Sequence, residues 1–336
     1  MKIKKMNRKM FIIWEAVLAI FAIFLTILLF TDEKPQKKVA VIVENSGSGK
    51  WDSFIHGLKD SAKQNDIHLV ICNTDEIEDY IEERNLIKEQ LSNEVDGFII
   101  QPAPGTNVEA MFEENLKDKY VITINEDFYV EETDSAEDSA ADSRLGNHIS
   151  INADNYELGK GLAQKIIADE GGALEGKTMG IVAGMDKTSS AKERIEGFCN
   201  EIEKTGINIK WIHNKKYSQN SLDIVNTQAS VDYLVALDTD ILEEITTENL
   251  SSRFAKCPIY GVGGSMASIS LVDKGTVNAI VVPQLYDVGY KAVDAISEKF
   301  DKKWKSPANY VCDYLVIDKS NIYTEEIENY IYTLKR

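Results

Sequence analysis

Cysteine and histidine are scarce in this chain, with four of each in 336 residues. Cys72, Cys199, Cys257 and Cys312 stand far apart with no CxxC pair. Each lies in or beside an apolar run, which reads as a buried free thiol, although an oxidising compartment leaves pairing of two of them open. His56, His68, His148 and His213 are equally scattered, so no spacing builds a metal site. Basic charge is short as well: 37 Lys and Arg stand against 55 Asp and Glu, a formal net charge of -18. Among the first thirty residues Lys2, Lys4, Lys5, Arg8 and Lys9 oppose only Glu15, so the remainder carries -22. A surface that acidic repels nucleic acid and anionic headgroups, which sets DNA and RNA aside as partners.

Working catalytic and cofactor motifs are missing too. GGALEGKT at 171–178 satisfies the phosphate-loop pattern, but that loop needs a strand before it and a helix after it. Here the order is reversed. Around Gly49 and Lys50 the order is right, yet Glu44 stands where the first glycine belongs and Trp51 where Ser or Thr belongs. Gly261, Gly263 and Gly264 follow a strand, but Met266 replaces the third glycine of a dinucleotide fingerprint. No glycine-flanked nucleophilic serine appears. Asp238 and Asp240 read as a strand end with a helix cap rather than an acid/base pair. No cofactor and no enzymatic chemistry are expected.

What the chain does have begins with a basic segment at 1–10 and an apolar one at 11–30, interrupted only by Glu15 and Thr26. Twenty residues at ~1.5 Å each reach ~30 Å, enough to cross a bilayer. A cleaved signal peptide needs small residues near the cut, and Leu28, Leu29, Phe30, Thr31 and Asp32 offer none. The segment therefore reads as an uncleaved anchor with the lysines inside and everything after Thr31 outside, at the cell membrane. Residues 31–37 form a polar tether.

From residue 39 onward, short apolar runs without alternation are each followed by an amphipathic helix, the pattern of a parallel sheet covered on both faces. An acidic stretch at 126–144, with Glu137 and Asp142 among its charges, breaks the series and lacks EF-hand spacing, so it reads as a solvated loop. The series then resumes to about residue 300. Two βα series flanking an irregular crossing imply two similar lobes. In the second, Met179 to Val182 predicts a strand, Asp186 to Ser190 a helix start, and Ala191, Ile195 and Phe198 a helix. Arg194, within its first two turns, is placed to project into the crevice at the strand ends.

Taken together, residues 38–321 resemble the type I periplasmic binding proteins, the ribose- and sugar-binding group in particular. The pieces that carry the resemblance are TSSAKERIEGF at 188–198, ADNYELGKGLA at 153–163 and YDVGYKAV at 286–293. It implies an α/β fold of two Rossmann-like lobes with parallel sheets joined by a three-crossing hinge, preceded here by one transmembrane helix. Crossings are expected near Asn152, Pro283 and Asp313, giving an N-lobe of 38–152 plus 283–313 and a C-lobe of 153–282 plus 314–336.

The resemblance also places candidate ligand contacts. Arg194 takes the place of a sugar-binding arginine, Tyr217 that of an aromatic on the sugar ring, and Asp238 that of a hydroxyl reader. Trp51, Asp52 and Phe54 fall in the first βα loop, which carries aromatics and a polar residue in the family. Asn125 stands where an aspartate is usual and Glu126 where an arginine often follows. Gly263 replaces an aspartate and Pro283 a hinge glutamine, with Gln284 beside it. Trp51 and Tyr217 have a second reading as lobe packing, and Asp238 as a helix cap. Aromatic faces with carboxylates, amides and a guanidinium suit a polyol. The function implied is capture of a small sugar-like ligand for an ABC permease or a membrane sensor such as a histidine kinase. The alternatives are a degenerate scaffold that binds protein and an enzyme on a nucleotide or phosphorylated substrate.

Overall fold

Two sheets with the same strand order organise residues 37–336. The computed structural model describes residues 8–30, 35–131, 148–247, 249–301 and 309–335. Helix α1 (Arg8–Phe30) belongs to a separate unit ending at Gln36. Its side chains are described over 11–26, a length of about 24 Å, and all are exposed. Among the described residues no helix is long and apolar enough to cross a membrane. The expected basic tail up to residue 7 and the tether at 31–34 lie outside the described residues. So does 132–147 of the acidic stretch, Glu137 and Asp142 included.

The second unit runs β1 (Lys37–Ile42), α2 (Asp52–Gln64), β2 (Ile67–Ile71), α3 (Tyr80–Ser92), β3 (Gly97–Ile100), α4 (Val108–Leu116), β4 (Tyr120–Ile124) and β5 (His148–Ala153). It continues with α5 (Asn155–Asp169), β6 (Thr178–Met185), α6 (Ser189–Ile202), β7 (Asn208–Lys215), α7 (Ser221–Thr227), β8 (Tyr233–Ala236), α8 (Thr239–Ile245), β9 (Ile259–Val262), α9 (Met266–Lys274) and β10 (Ala279–Pro283). Helix α10 (Leu285–Asp301), β11 (Tyr310–Cys312), β12 (Tyr314–Asp318) and α11 (Glu325–Lys335) complete it.

The first sheet has the order β11-β5-β4-β3-β1-β2 and the second β12-β10-β9-β8-β6-β7. All pairings are parallel except β10 with β12. The central strands are apolar throughout and buried, because helices cover both faces of each sheet. The continuous extended segment from Tyr310 splits at Asp313, its first half joining the first sheet and its second half the second. The chain also changes lobes after β5, where α5 packs on α6, and after β10, where α10 packs on α2. The order of elements around GGALEGKT is helix α5, loop, strand β6, the wrong one for a phosphate loop.

Each lobe is clamped by one helix pair whose axes approach at glycines. A Cβ on Gly57 of α2 would lie 2.1 Å from the Tyr286 carbonyl, and one on Gly289 of α10 would lie 2.2 Å from that of Phe54. In the second lobe a Cβ on Gly159 would lie 2.1 Å from the Arg194 carbonyl, and one on Gly197 would lie 2.0 Å from that of Tyr156. Only hydrogen fits at these four positions, and Phe54, Leu58, Leu158, Leu162 and Phe198 beside them are fully buried. Each such side chain contributes roughly 1.5–3 kcal/mol on burial. All four cysteines are free, with Cys72 and Cys312 buried.

Candidate functional site between the lobes

In open parallel sheets ligands sit outside the carboxyl ends of the strands, where the strand order reverses. In this chain those points are the ends of β1 and β3 in the first lobe and of β6 and β8 in the second. The loops after these strands meet across the crevice. Beside them lies an open cavity of about 660 Å³ lined by Asn45, Ser48, Asp75 and Glu76 of the first lobe and by Lys215, Asp240, Glu243 and Glu244 of the second. A second crevice of about 370 Å³ has Tyr80 and Pro104 on one side and Lys187 and Tyr217 on the other.

The loop after β1 turns at Asn45, whose φ of 45° is in the left-handed region that asparagine tolerates. It ends in a 3-10 turn at Gly49–Trp51, which carries Lys50 into the crevice. The Lys50 Nζ lies 3.1 Å from Glu44 Oε1 in its own lobe and 2.6 Å from Asp240 Oδ2 in the other. Burial pulls this ammonium down, but Glu44, Asp240 and Asp238 outweigh it and hold its pKa well above the ordinary value. Burial alone would raise Asp240, and Lys50 and the Ser48 hydroxyl more than reverse that. Ser48 Oγ donates to Asp240 Oδ1 at 2.7 Å.

After β4, Asn125 takes φ 61° and turns the chain so that Glu126 enters the start of α6 in the other lobe. The Glu126 carboxylate is 3% exposed. It accepts from the Ser190 amide at 2.7 Å, from Ser189 Oγ at 3.0 Å and from Ser190 Oγ. Burial pushes Glu126 up to about 7, against the pull of Ser190, Arg194 and Ser189. Three further contacts join the lobes: Glu76 with Lys215 at 2.9 Å and with the Ser218 amide at 2.9 Å, and the Gly105 amide with the Lys187 carbonyl at 3.0 Å.

The expected contacts separate into three groups. Trp51 and Phe54 are buried in the first-lobe core, ring against ring at 5.5 Å, with the Trp51 indole N–H on the Glu44 carbonyl. The packing alternative therefore describes Trp51. Gly263 has no room for a side chain, since a Cβ there would lie 2.8 Å from Ile280 and 2.9 Å from Ser268 Oγ.

Arg194, Asp238, Glu126 and Asn125 converge on the crevice, but they bond to protein. Arg194 is buried, donating from Nε to Asn155 Oδ1 at 2.9 Å and from Nη1 to the Leu237 carbonyl at 3.2 Å, with Asp238 Oδ2 3.6 Å away. Asp238 caps α8 through the Asp240 amide at 3.0 Å. Asn125 accepts from Asn155 through its carbonyl at 3.4 Å. Asp52 is exposed at the start of α2, Tyr217 is exposed beside the second crevice, and Gln284 lies at the hinge, its amide on the Asp313 carbonyl at 3.0 Å.

Lys50, Ser189, Ser190, Glu76 and Lys215 are the crevice residues that pattern reading passes over. Lys50 sits inside a motif that fails as a phosphate loop, and the two serines look like ordinary helix-start residues.

Among the described residues no group of three or more His, Cys, Asp or Glu could hold a metal. What the crevice offers is acceptors: five carboxylates and two amides line the larger cavity, suited to ligand O–H and N–H donors.

Residues 39–303 match a family model described as periplasmic binding protein domain. No curated protein matches the sequence closely enough to count as a relative. Among solved structures, one similar fold is a glucose-galactose binding protein from Geobacillus stearothermophilus, with TM-score 0.71 and 21% identity over 86% of this chain and 100% of that one. Another is a carbohydrate transporter solute binding protein from Agrobacterium radiobacter in complex with D-arabinose, with TM-score 0.75 and 15% identity over 89% and 100%. A third is the XylFII-LytSN complex, with TM-score 0.66 and 18% identity over 85% and 99%. At these identities the likeness establishes the fold.

Proposed function

Because the chain belongs to the periplasmic binding protein domain family, we propose that it is a solute-binding protein that captures a small sugar-like ligand between its two lobes, without chemistry of its own. The observation that carries this reading is the interlobe cavity at the carboxyl ends of both sheets, of a volume that suits a small ligand and walled by acceptors. A polyol brings many O–H donors and no charge, so it satisfies Asn45, Asp75, Asp240 and Glu243 without requiring their neutralisation. The fold neighbours, a glucose-galactose binding protein and a solute binding protein in complex with D-arabinose, support the same class.

The apolar stretch at 11–30 is the proposed membrane anchor, with the N-terminus inside and the two lobes outside. Its twenty residues, apolar except for Glu15 and Thr26, match the length of a bilayer-spanning helix. The ligand then passes to an ABC permease or is presented to a membrane sensor. A neighbour solved as a complex with a second protein favours presentation, as does the proposed anchor in place of a lipid-bearing cysteine.

A thermal-shift screen over pentoses and hexoses tests the reading. A true ligand at ~100 times its dissociation constant adds ~2.7 kcal/mol of stability, a rise of several degrees. Equal melting in every sugar, with turnover of an added nucleotide, would move the protein to the enzyme class.

A further inference from the structure

The last helix belongs to one lobe by sequence and touches both. Helix α11 follows β12, an edge strand of the second sheet. Ile327, Tyr330 and Leu334 recur at helical spacing and are buried in the second-lobe core with Leu234, Val282 and Ile317. The Tyr330 hydroxyl donates to the Gly264 carbonyl at 3.0 Å, so apolar burial and a hydrogen bond root this face. One residue before Leu334, Thr333 meets helix α2 of the first lobe. Its Oγ1 lies 3.0 Å from Ser53 Oγ, and its carbonyl accepts from His56 Nδ1. The Thr333 hydroxyl gives its own proton to the Tyr330 carbonyl at 2.6 Å, so Ser53 is the donor across the lobes. A neutral imidazole that faces a carbonyl carries its proton there, so His56 donates from Nδ1.

The two attachments differ in kind. Three large side chains seat α11 in the second lobe, whereas hydrogen bonds at Thr333 join it to Ser53 and His56 of the first. Toward the hinge the helix is not sealed. A cavity of about 300 Å³ has Gln284, Asp287 and Leu315 on one wall and Glu326, Asn329 and Thr333 on the other. Ser53 and His56 lie in the first turns of α2, just past the loop after β1, and Gly264 lies in the loop after β9. Both places are at the carboxyl ends of strands, the ends that face each other across the crevice. Parting the lobes there carries α11 away with the second lobe. The polar contacts to α2 break while the apolar face stays packed.

We infer that α11 is a releasable tie between the lobes, biasing the hinge equilibrium toward the observed lobe angle through Ser53, His56 and Thr333. It adds a non-covalent link to the three chain crossings. A solute held between the lobes acts on the same equilibrium, so the tie sets part of the apparent affinity. That consequence rests on the solute-binding reading. The tie itself does not, and an interlobe distance reads it whatever the solute is.

Spin labels introduced through Glu114→Cys on α4 and Asp223→Cys on α7 sit at exposed positions of opposite lobes. The background carries Cys199→Ser and Cys257→Ser, the two native thiols that are not fully buried. In the full chain, held in detergent, Ser53→Ala with His56→Leu removes both first-lobe partners and leaves α11 whole. The ratio of short to long distances should fall about tenfold, the worth of two neutral hydrogen bonds. Thr333→Val removes only the hydroxyl and should move the ratio part of the way, which keeps the test decisive if the double variant folds poorly. Tyr290→Phe removes a 2.7 Å bond to Gln64 on the same helix α2 but within the first lobe, and should leave the ratio unchanged. Amide exchange over 325–335 should stay slow in every variant, because the second-lobe face remains packed. An unchanged ratio in both tie variants overturns the inference, as does an equal fall in Tyr290→Phe. So does an unaltered chain with no short-distance population, or fast exchange of α11 wherever the ratio falls.

Discussion

Removing the guanidinium of Arg194 should cost stability before it costs anything else. The side chain is buried and its two hydrogen bonds run to Asn155 Oδ1 and the Leu237 carbonyl. Hydrogen bonds from a charged group contribute ~1.5–3 kcal/mol each, and truncation leaves both acceptors in a dry site. The Asp238 carboxylate at 3.6 Å is about a quarter exposed, so its loss adds little. The sum for Arg194→Ala is about 3–6 kcal/mol. Arg194→Lys keeps the charge but replaces two donor atoms in a fixed fork with one, so its hydrogen bonds to Asn155 and Leu237 should be poorer. It should lose about 2–3 kcal/mol. Urea unfolding of the full chain in detergent reads both losses as a lower midpoint at unchanged slope. A loss below about 1 kcal/mol, with sugar affinity reduced tenfold or more, would refute this reasoning and make Arg194 a ligand contact, as its place in the sequence suggests.

Three other outcomes follow from the same structure. Glu83 is fully buried, and burial lifts it from 4.5 to about 8 against one hydrogen bond from the Ala103 amide. The folded state therefore holds this proton more tightly than the unfolded chain. Its contribution is complete below pH 4.5 and is lost as pH rises to 8, at up to ~1.4 kcal/mol per unit. Glu83→Gln should remove that slope in urea melts taken across the range, and an unchanged slope contradicts the assignment. Gly197→Ala places a methyl 2.0 Å from the Tyr156 carbonyl and should destabilise by ~1–3 kcal/mol or more, whereas Gly172→Ala, a loop position with open space but φ 80°, should cost only backbone strain. If 11–30 is an uncleaved anchor, external protease on intact spheroplasts should digest the lobes of a full-length membrane-bound chain. A mature N-terminus after Phe30 contradicts it.

Much of the fold was legible because its elements obey local rules. Residues 108–116 and 120–124 form the helix and strand that their apolar pattern predicts, and capping residues fix the start of α6 at Thr188. Gly159, Gly197 and Gly289, in YELGKG, IEGF and DVGYK, turn out to be helix contact points, so part of the family resemblance is steric necessity. Asp313 illustrates the limit. One extended run becomes two strands because its halves find different sheets, which no local pattern encodes.

The site was legible by place rather than by role. Arg194 and Asp238 reach the crevice, but burial and pairing are tertiary facts and convert them into structural supports. Trp51 looked like a ring platform because aromatics in first βα loops often are, yet its indole N–H found the Glu44 carbonyl and the ring went inside. Lys50 carried no signal once the phosphate loop failed. Its partner Asp240 is 190 residues away in the chain and becomes its neighbour only when the lobes meet.

The central claim is that the two lobes capture a sugar-like solute between them, and calorimetric titration tests it most directly. Full chain in detergent should be titrated with pentoses and hexoses, including D-arabinose, glucose and galactose, beside a second sample carrying Asp240→Ala. At least one sugar should bind saturably with one site per chain, and the heat should diminish sharply in the variant, which lacks a wall of the cavity. Absence of saturable heat with every sugar would contradict the claim.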